Sequence, residues 1–247
     1  MLMREARISP RPKYPENWHL LSQGEAVRAE LESVLEPIMQ RIFGYYLVKL
    51  GNLSSELAIH SSPIKQQFNV SETLSDTSHV NAKSCLLPLQ NNSVDAFLLA
   101  AELDFAQDPH QILREIDRAI TCNGHIVIAG FNPLSMAGIM KYLPINRKNV
   151  LHQGRFFTAA RIKDWLQLLE FEVIQHEHVV YSSLFMSSKL NHGSRIQKWS
   201  KRYLPWFSGM YVLVARKREV PLSPVKPMWK LKPKFSSSAA SARMRSE

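Results

Sequence analysis

The chain has 247 residues, of which 45% are hydrophobic, so it can bury a substantial core as one large domain or two small ones. Its two cysteines, Cys85 and Cys122, exclude a disulfide framework, and we expect both to be buried reduced thiols. The formal net charge is +10, but residues 216–247 hold nine basic side chains against two acidic ones. The positive charge therefore belongs mainly to the end of the chain.

No segment of the sequence has the pattern of a membrane span. The first residues lack the apolar core of a signal peptide. Residues 124–140 carry no Asp, Glu, Lys or Arg, but Asn132 and Pro133 interrupt them and the stretch is too short to cross a bilayer. We expect a soluble, cytoplasmic protein.

The first predicted element is a helix. Ser22 and Glu25 form a capping-box pattern, and apolar residues at helical spacing continue to Ile42. Gly44 is expected to end this helix. Residues 1–20 precede it as an N-terminal arm.

Three short strands are predicted next. Residues 45–50 form an apolar first strand, and residues 51–55 form the turn after it. Residues 67–70 give a short, polar second strand, and residues 82–86 a third.

Residues 87–131 contain the clearest pattern of the chain. Residues 94–101 are almost wholly apolar, which is typical of a strand buried on both faces of a parallel sheet. The dipeptide Asp108-Pro109 predicts a helix start, and Asn123-Gly124 predicts its end. Residues 126–129 form the next buried strand. This strand–helix–strand unit indicates a doubly wound α/β sheet.

The rest of the chain completes the sheet and ends in a tail. Residues 134–143 predict a short helix, and Thr158 is expected to cap a longer one. Residues 171–175 and 211–215 are the last two strands. Residues 218–247 are rich in Pro, Lys and Ser, so we expect a disordered basic tail.

The motifs LPL, NNSVDAFLL, DPHQILREIDRAI and NGHIVI resemble the central part of class I S-adenosylmethionine (AdoMet) dependent methyltransferases of the small-molecule, type 11-like kind. The segments PENWHLLSQGEAVRAELESVL, GYYLVKLGNLS and IAGFNPLS are similar to a narrower, uncharacterised bacterial group of methyltransferase-like proteins. The resemblance implies one domain over residues 21–217. Its implied fold is Rossmann-like, with a doubly wound, mostly parallel sheet and an antiparallel last strand.

The resemblance also implies a site for AdoMet at the carboxyl ends of the strands. In the family an acid ends the first strand and three glycines follow; here Lys49 stands at the acid and Gly51 keeps the first glycine. Leu53 and Ser55 replace the other two glycines. The glycine-rich motif is therefore degenerate. The cofactor-binding residues that the resemblance implies are Lys49, Gly51, Leu53, Glu72, Leu87, Pro88, Ala101 and Glu102.

Three residues are candidates for a catalytic role. Glu102 and Asp104 follow the fourth strand, where an acceptor could bind, although they could equally be solvated loop acids. Asn132-Pro133 resembles the Asn-Pro-Pro-aromatic motif of amino methyltransferases, but it follows the fifth strand and lacks the second proline. Methylation of adenine in nucleic acids is therefore excluded. Asn132 could line the mouth of the pocket or form a turn.

Two further patterns admit more than one interpretation. His176 and His178 lie on one face of a predicted strand, but no third ligand is indicated, so we predict no metal site. Residues 194–207 interleave basic and aromatic side chains, which fits a membrane or RNA surface, or a helix that packs over the pocket.

The sequence thus favours an AdoMet-dependent methyltransferase that acts on a small-molecule acceptor. The first alternative is a catalytically silent methyltransferase-like protein with a binding or regulatory role. The second is an RNA-associated protein that binds nucleic acid through its basic tail.

Overall fold

The computed structural model describes residues 12, 14–21, 23–73, 78–135, 138, 150–179 and 208–218. Most of the predicted helix at 134–143, the basic and aromatic segment at 194–207 and the tail beyond residue 218 lie outside these residues. No helix within the described ranges is long and apolar enough to cross a membrane.

Seven strands of the described residues form one sheet in the order β3-β2-β1-β4-β5-β7-β6. Neighbours from β3 through β5 run parallel, whereas β7 runs antiparallel to both β5 and β6. This topology confirms the predicted mostly parallel sheet with an antiparallel last strand. The strands are β1 (Tyr46–Leu50), β2 (Gln66–Ser71), β3 (Val80–Asn81), β4 (Val94–Ala100), β5 (Ile120–Phe131), β6 (Phe171–Val179) and β7 (Met210–Lys217).

Helices cover both faces of the sheet and divide the core into two layers. They are α1 (Gly24–Met39), α2 (Asn52–Ser55), α3 (Glu102–Phe105), α4 (Pro109–Ala119) and α5 (Ala159–Leu168), with short 3-10 turns at Trp18–Leu20 and Val150–His152. One layer joins α1 and Trp18 to Leu47 of β1. The other joins α4 and α5 to Val48 of β1. Successive side chains of a strand point to opposite faces, so each inner strand contributes to both layers.

The start of α4 is confirmed, whereas its end was predicted too late. The Asp108 carboxylate accepts hydrogen bonds from the backbone N–H groups of His110 and Gln111, as a helix cap does. The helix ends at Ala119, and β5 begins at the next residue. Asn123 takes a left-handed conformation (φ 61°) inside the strand span, where the register with β4 shifts. Asn123-Gly124 therefore marks an irregularity in β5.

The leading helix is confirmed, but its predicted capping box is not formed. The N-cap is Gln23, with φ 58° and no capping hydrogen bond from its side chain. The helix ends at Met39, before the predicted stop at Gly44. Pro37 lies in its last turn and cannot donate the hydrogen bond that would continue the ladder.

Two smaller expectations were wrong. The third strand is Val80–Asn81, because residues 83–86 close a tight turn instead of extending along β2. The cysteines are free but not buried: Cys122 is exposed and Cys85 is half-buried. Cys122 lies at the irregular start of β5, which carries it out of the core.

Candidate functional site

A cavity of about 320 Å³ opens at the carboxyl ends of β1, β2 and β4. The connections from β1 and β4 leave in opposite directions at this point of the sheet, and α/β sheets bind ligands at such switch points. The cavity volume is at the lower end of the range for small-molecule sites. The polar side chains that line it are those of Tyr14, Asn52, Glu72, Thr73, Glu102, Gln107, Asp108 and Gln111.

Gly51 forms the turn between β1 and the cavity. Its backbone has φ 91° and ψ 159°, a combination that is essentially restricted to glycine. A Cβ atom at this position would overlap Glu102 Oε2 and lie 2.6 Å from Tyr14 Oη. Gly51 is therefore required both for the backbone conformation and for the close approach of these two side chains.

Ser84 connects two acidic side chains that come from different strand ends. Its backbone N–H donates to Glu72 Oε1 at 3.3 Å, and its hydroxyl donates to Glu102 Oε1 at 2.5 Å. Glu72 follows β2, and Glu102 begins α3 just after β4. Both predicted acids therefore line the cavity, held by one buried serine that the sequence did not single out.

Tyr14 brings the N-terminal arm into the wall of the cavity. Its hydroxyl donates to the carbonyl oxygen of Ala100 at 3.2 Å, and its ring packs edge-on against Phe105. Burial, together with the nearby Glu102 carboxylate, holds the pKa of Tyr14 well above its usual value. The phenol is therefore a neutral donor. The sequence did not indicate it, because Tyr14 stands among polar and proline residues with no periodic pattern.

Asn52 follows Gly51 and is 3% exposed. Its Nδ2 atom donates to the hydroxyl of Thr73 at 2.6 Å, which fixes the amide. Its Oδ1 atom is buried and has no hydrogen-bond partner among the described residues. An unsatisfied buried acceptor is uncommon in proteins and requires a physical explanation.

Lys49 points away from the cavity, to the face of the sheet covered by α1. Its Nζ atom donates to the carbonyl oxygen of Leu57 at 2.8 Å. Burial lowers the pKa of Lys49, and the carboxylate of Glu32 on α1 opposes that effect. Lys49 is absent from the described cavity lining, so its charge is directed away from a ligand bound there.

The residues that replace the other glycines are also directed into the protein. Leu53 is fully buried in the core layer below α1. The Ser55 hydroxyl donates to the carbonyl oxygen of Gly51, and that of Ser54 donates to Leu50 and accepts from the N–H of Ala100. The turn is therefore held by side-chain hydrogen bonds where the family uses glycine.

Leu87, Pro88 and Ala101 are not among the described residues that line the cavity. Leu87 is buried in the core layer on the α4 side. Ala101 has a left-handed backbone (φ 56°) and caps α3. These three residues thus shape the surrounding loops.

The other two catalytic candidates have structural partners. Asp104 is 2% exposed, and its Oδ2 atom accepts from the backbone N–H of Phe131 at 2.9 Å. The description of Glu102 and Asp104 as solvated loop acids is wrong, because α3 turns both inward. Asn132 accepts from the N–H of Leu134 and donates to the carbonyl oxygen of Ser208, as a turn residue does. Only Glu102 of the three lines the described cavity.

His176 and His178 lie on one face of β6, with ring centroids 4.5 Å apart. Lys163 Nζ is 3.2 Å from His176 Nδ1, and the Ser208 hydroxyl is 2.9 Å from His178 Nδ1. Burial and the Lys163 charge lower the pKa of His176 to about 4. Within the described part of the chain, no group of three metal-ligating side chains is placed to hold an ion.

The cavity therefore combines hydrogen-bond acceptors with negative charge. It is lined by the carboxylates of Glu72, Glu102 and Asp108, and its described lining includes no Lys, Arg or His. Asp108 also caps α4, which leaves Glu72, Glu102 and the Asn52 oxygen as the acceptors nearest Gly51. Such a site favours a cationic ligand that also carries N–H or O–H donors.

Comparison with known proteins gives the same family for sequence and fold. Residues 47–128 match the family described as Methyltransferase domain. The chain is 36% identical over 244 residues to Uncharacterized protein YafS of Escherichia coli (strain K12), which covers 98% of this chain and 97% of the relative.

Two solved structures share the fold at low sequence identity. A SAM-dependent methyltransferase from Archaeoglobus fulgidus has a TM-score of 0.53 and 17% identity, covering 78% of this chain and 94% of the other. The [4+2]-cyclase SpnF has a TM-score of 0.53 and 16% identity, covering 81% and 83%. At these identities the likeness concerns the fold, and the second protein carries a different chemistry on it.

Proposed function

Because the chain belongs to the class I AdoMet-dependent methyltransferase family, we propose that it binds AdoMet in this cavity and transfers a methyl group to a small-molecule acceptor. The observation that carries the proposal is the acidic, acceptor-rich lining at the switch point of the sheet. AdoMet is a cationic sulfonium with an ammonium group and two ribose hydroxyls. These groups match carboxylate and amide oxygens in charge and in hydrogen bonding.

The residues present fit the cofactor in two further respects. Gly51 presents bare backbone at the cavity, since its conformation and its neighbours leave no room for a side chain. The buried Oδ1 atom of Asn52 needs a donor that the described residues do not supply. The lysine at the position of the family's first acid does not oppose binding, because it points to α1.

Glu102 is the side chain best placed to act on the reacting groups. Ser84 fixes one carboxylate oxygen, and Gly51 permits the other to approach the turn. When bound, AdoMet supplies an electrophilic methyl group, so the protein needs chiefly to align an acceptor and exclude water. A fixed carboxylate can orient an acceptor through its N–H or O–H and hold its proton as the bond to the methyl group forms.

The second candidate is a methyltransferase-like protein that binds a ligand without transferring a methyl group. The side chains of Glu102 and Tyr14 packed over Gly51, and the loss of two glycines from the turn, favour it. The fold is compatible with this reading because it also supports other chemistry.

A methyl-transfer assay separates the two. The full chain is incubated with AdoMet labelled in the methyl group and a deproteinised cell extract. We expect labelled small-molecule product to form with the wild-type chain and to fall at least about tenfold with Glu102→Gln, the lower range for loss of one proton-holding group. Cofactor binding without any labelled product would favour the silent protein.

A further inference from the structure

The amide of Asn52 has no function in the site described above, yet it is the most constrained polar group of the cavity. It is 3% exposed, Thr73 fixes its nitrogen, and its oxygen has no partner among the described residues. Burial of an acceptor without a partner costs about 1–3 kcal/mol, so a ligand that satisfies it gains affinity from this atom.

The position of the amide restricts what it can bind. Thr73 directly follows Glu72, so the Asn52 oxygen lies in the part of the cavity that also holds the Glu72 carboxylate. Two acceptors side by side suit a ligand with two adjacent O–H donors. A neutral amide oxygen gains less from a cation than the Glu102 carboxylate does, so the sulfonium end fits the Glu102 side.

We propose that Asn52 and Glu72 together bind the vicinal hydroxyls of a ribose, with Asn52 Oδ1 accepting from one of them. This inference rests on the proposed function, because it takes the adenosyl cofactor as the ligand. It assigns to Asn52 a positioning and specificity role that compensates for the lost glycines of the turn.

The test measures affinity for S-adenosylhomocysteine and for its 2′-deoxy and 3′-deoxy analogues by calorimetry. In the wild-type chain, removal of the contacted hydroxyl should weaken binding about tenfold, the effect of one hydrogen bond and its unsatisfied partner. Asn52→Leu should weaken binding of the parent ligand about tenfold and should not weaken binding of that deoxy analogue further.

Three variants control for indirect effects. Asn52→Asp keeps an acceptor at the same place and should retain discrimination between the parent and the deoxy ligand. Thr73→Val should reduce the discrimination, since the amide loses the hydroxyl that orients it. Asn69→Leu removes another buried asparagine, one outside the described cavity lining, and should leave it unchanged.

The possible results separate the two proposals. If the wild-type chain binds S-adenosylhomocysteine but Asn52→Leu binds all three ligands as the wild type does, a water satisfies the amide and the inference is overturned. An equal loss for the parent and both deoxy analogues would also overturn it, because Asn52 would then act only through the fold. If the wild-type chain binds none of the ligands, the proposed function itself fails.

Discussion

At the scale of single residues, the site depends on close contacts that only certain side chains allow. Gly51 lets Glu102 and Tyr14 approach the turn, and Ser84 fixes the carboxylates that follow β2 and β4. Lys49 stands at the position of a family acid, but its ammonium group bonds to Leu57 on the other side of the sheet. The chemistry of the cavity therefore comes from residues that a motif alignment of the first strand does not rank highly.

The variant Gly51→Ala tests the turn. The backbone conformation costs a non-glycine residue about 1–3 kcal/mol, and the new methyl group would displace Glu102 and Tyr14. We expect a lower free energy of unfolding in urea and loss of measurable AdoMet binding. Ser55→Ala removes one hydroxyl from the same turn and keeps the glycine, so it should bind AdoMet much as the wild type does. Unchanged binding by Gly51→Ala would show that the cofactor does not lie at this turn.

His176 gives a prediction about pH. Its pKa is about 4 in the folded chain, against 6.5 for a free histidine, so on acidification the unfolded chain takes up this proton first. The stabilisation is complete above pH 6.5 and is lost as the pH falls toward 4. The variant His176→Gln cannot take up the proton, so its stability should fall less over this range in urea titrations. Parallel pH profiles of the two proteins would contradict the depressed pKa.

At the scale of elements, α4 and its flanking strands show how far local sequence determines the fold. The carboxylate of Asp108 caps α4, and Ile112, Leu113 and Ile116 bury its apolar face against the sheet. This unit sets the position of β4, and hence of Glu102 at its carboxyl end.

The variant Asp108→Ala should lower the free energy of unfolding by about 1 kcal/mol, because two N–H groups of α4 lose their acceptor. Asp108→Asn keeps a capping oxygen and should lose less. Urea denaturation of both variants gives the measurement. Equal stability of Asp108→Ala and the wild type would mean that solvent replaces the cap without cost.

Elements with strong local signals were predicted, and elements fixed by distant contacts were not. The apolar run of β4 and the Asp-Pro start of α4 carry their own signals, and both were located to within a residue or two. The end of α4 and the position of β3 depend on pairing between strands, which local sequence does not encode. In the site, Gly51, Glu72 and Glu102 follow strand ends and could be predicted to meet. Tyr14 and Ser84 join them only through tertiary packing.

At the scale of the whole molecule, charge is unevenly distributed. The chain carries +10, most of it at the C-terminal end, whereas the described cavity is lined by carboxylates and lacks a cationic side chain among its described residues. A cationic ligand is therefore favoured locally despite the overall charge. The N-terminal arm also belongs to this site, since Tyr14 forms part of its wall and Trp18 is fully buried.

The central claim is that the acidic cavity at the switch point binds AdoMet, and calorimetric titration of the full-length chain with AdoMet tests it most directly. We predict saturable binding at one site, tighter than about 1 mM, or roughly −4 kcal/mol. Glu102→Gln should weaken it, because the variant loses one carboxylate facing the cation. No heat of binding to the folded wild-type chain up to about 1 mM AdoMet would contradict the account.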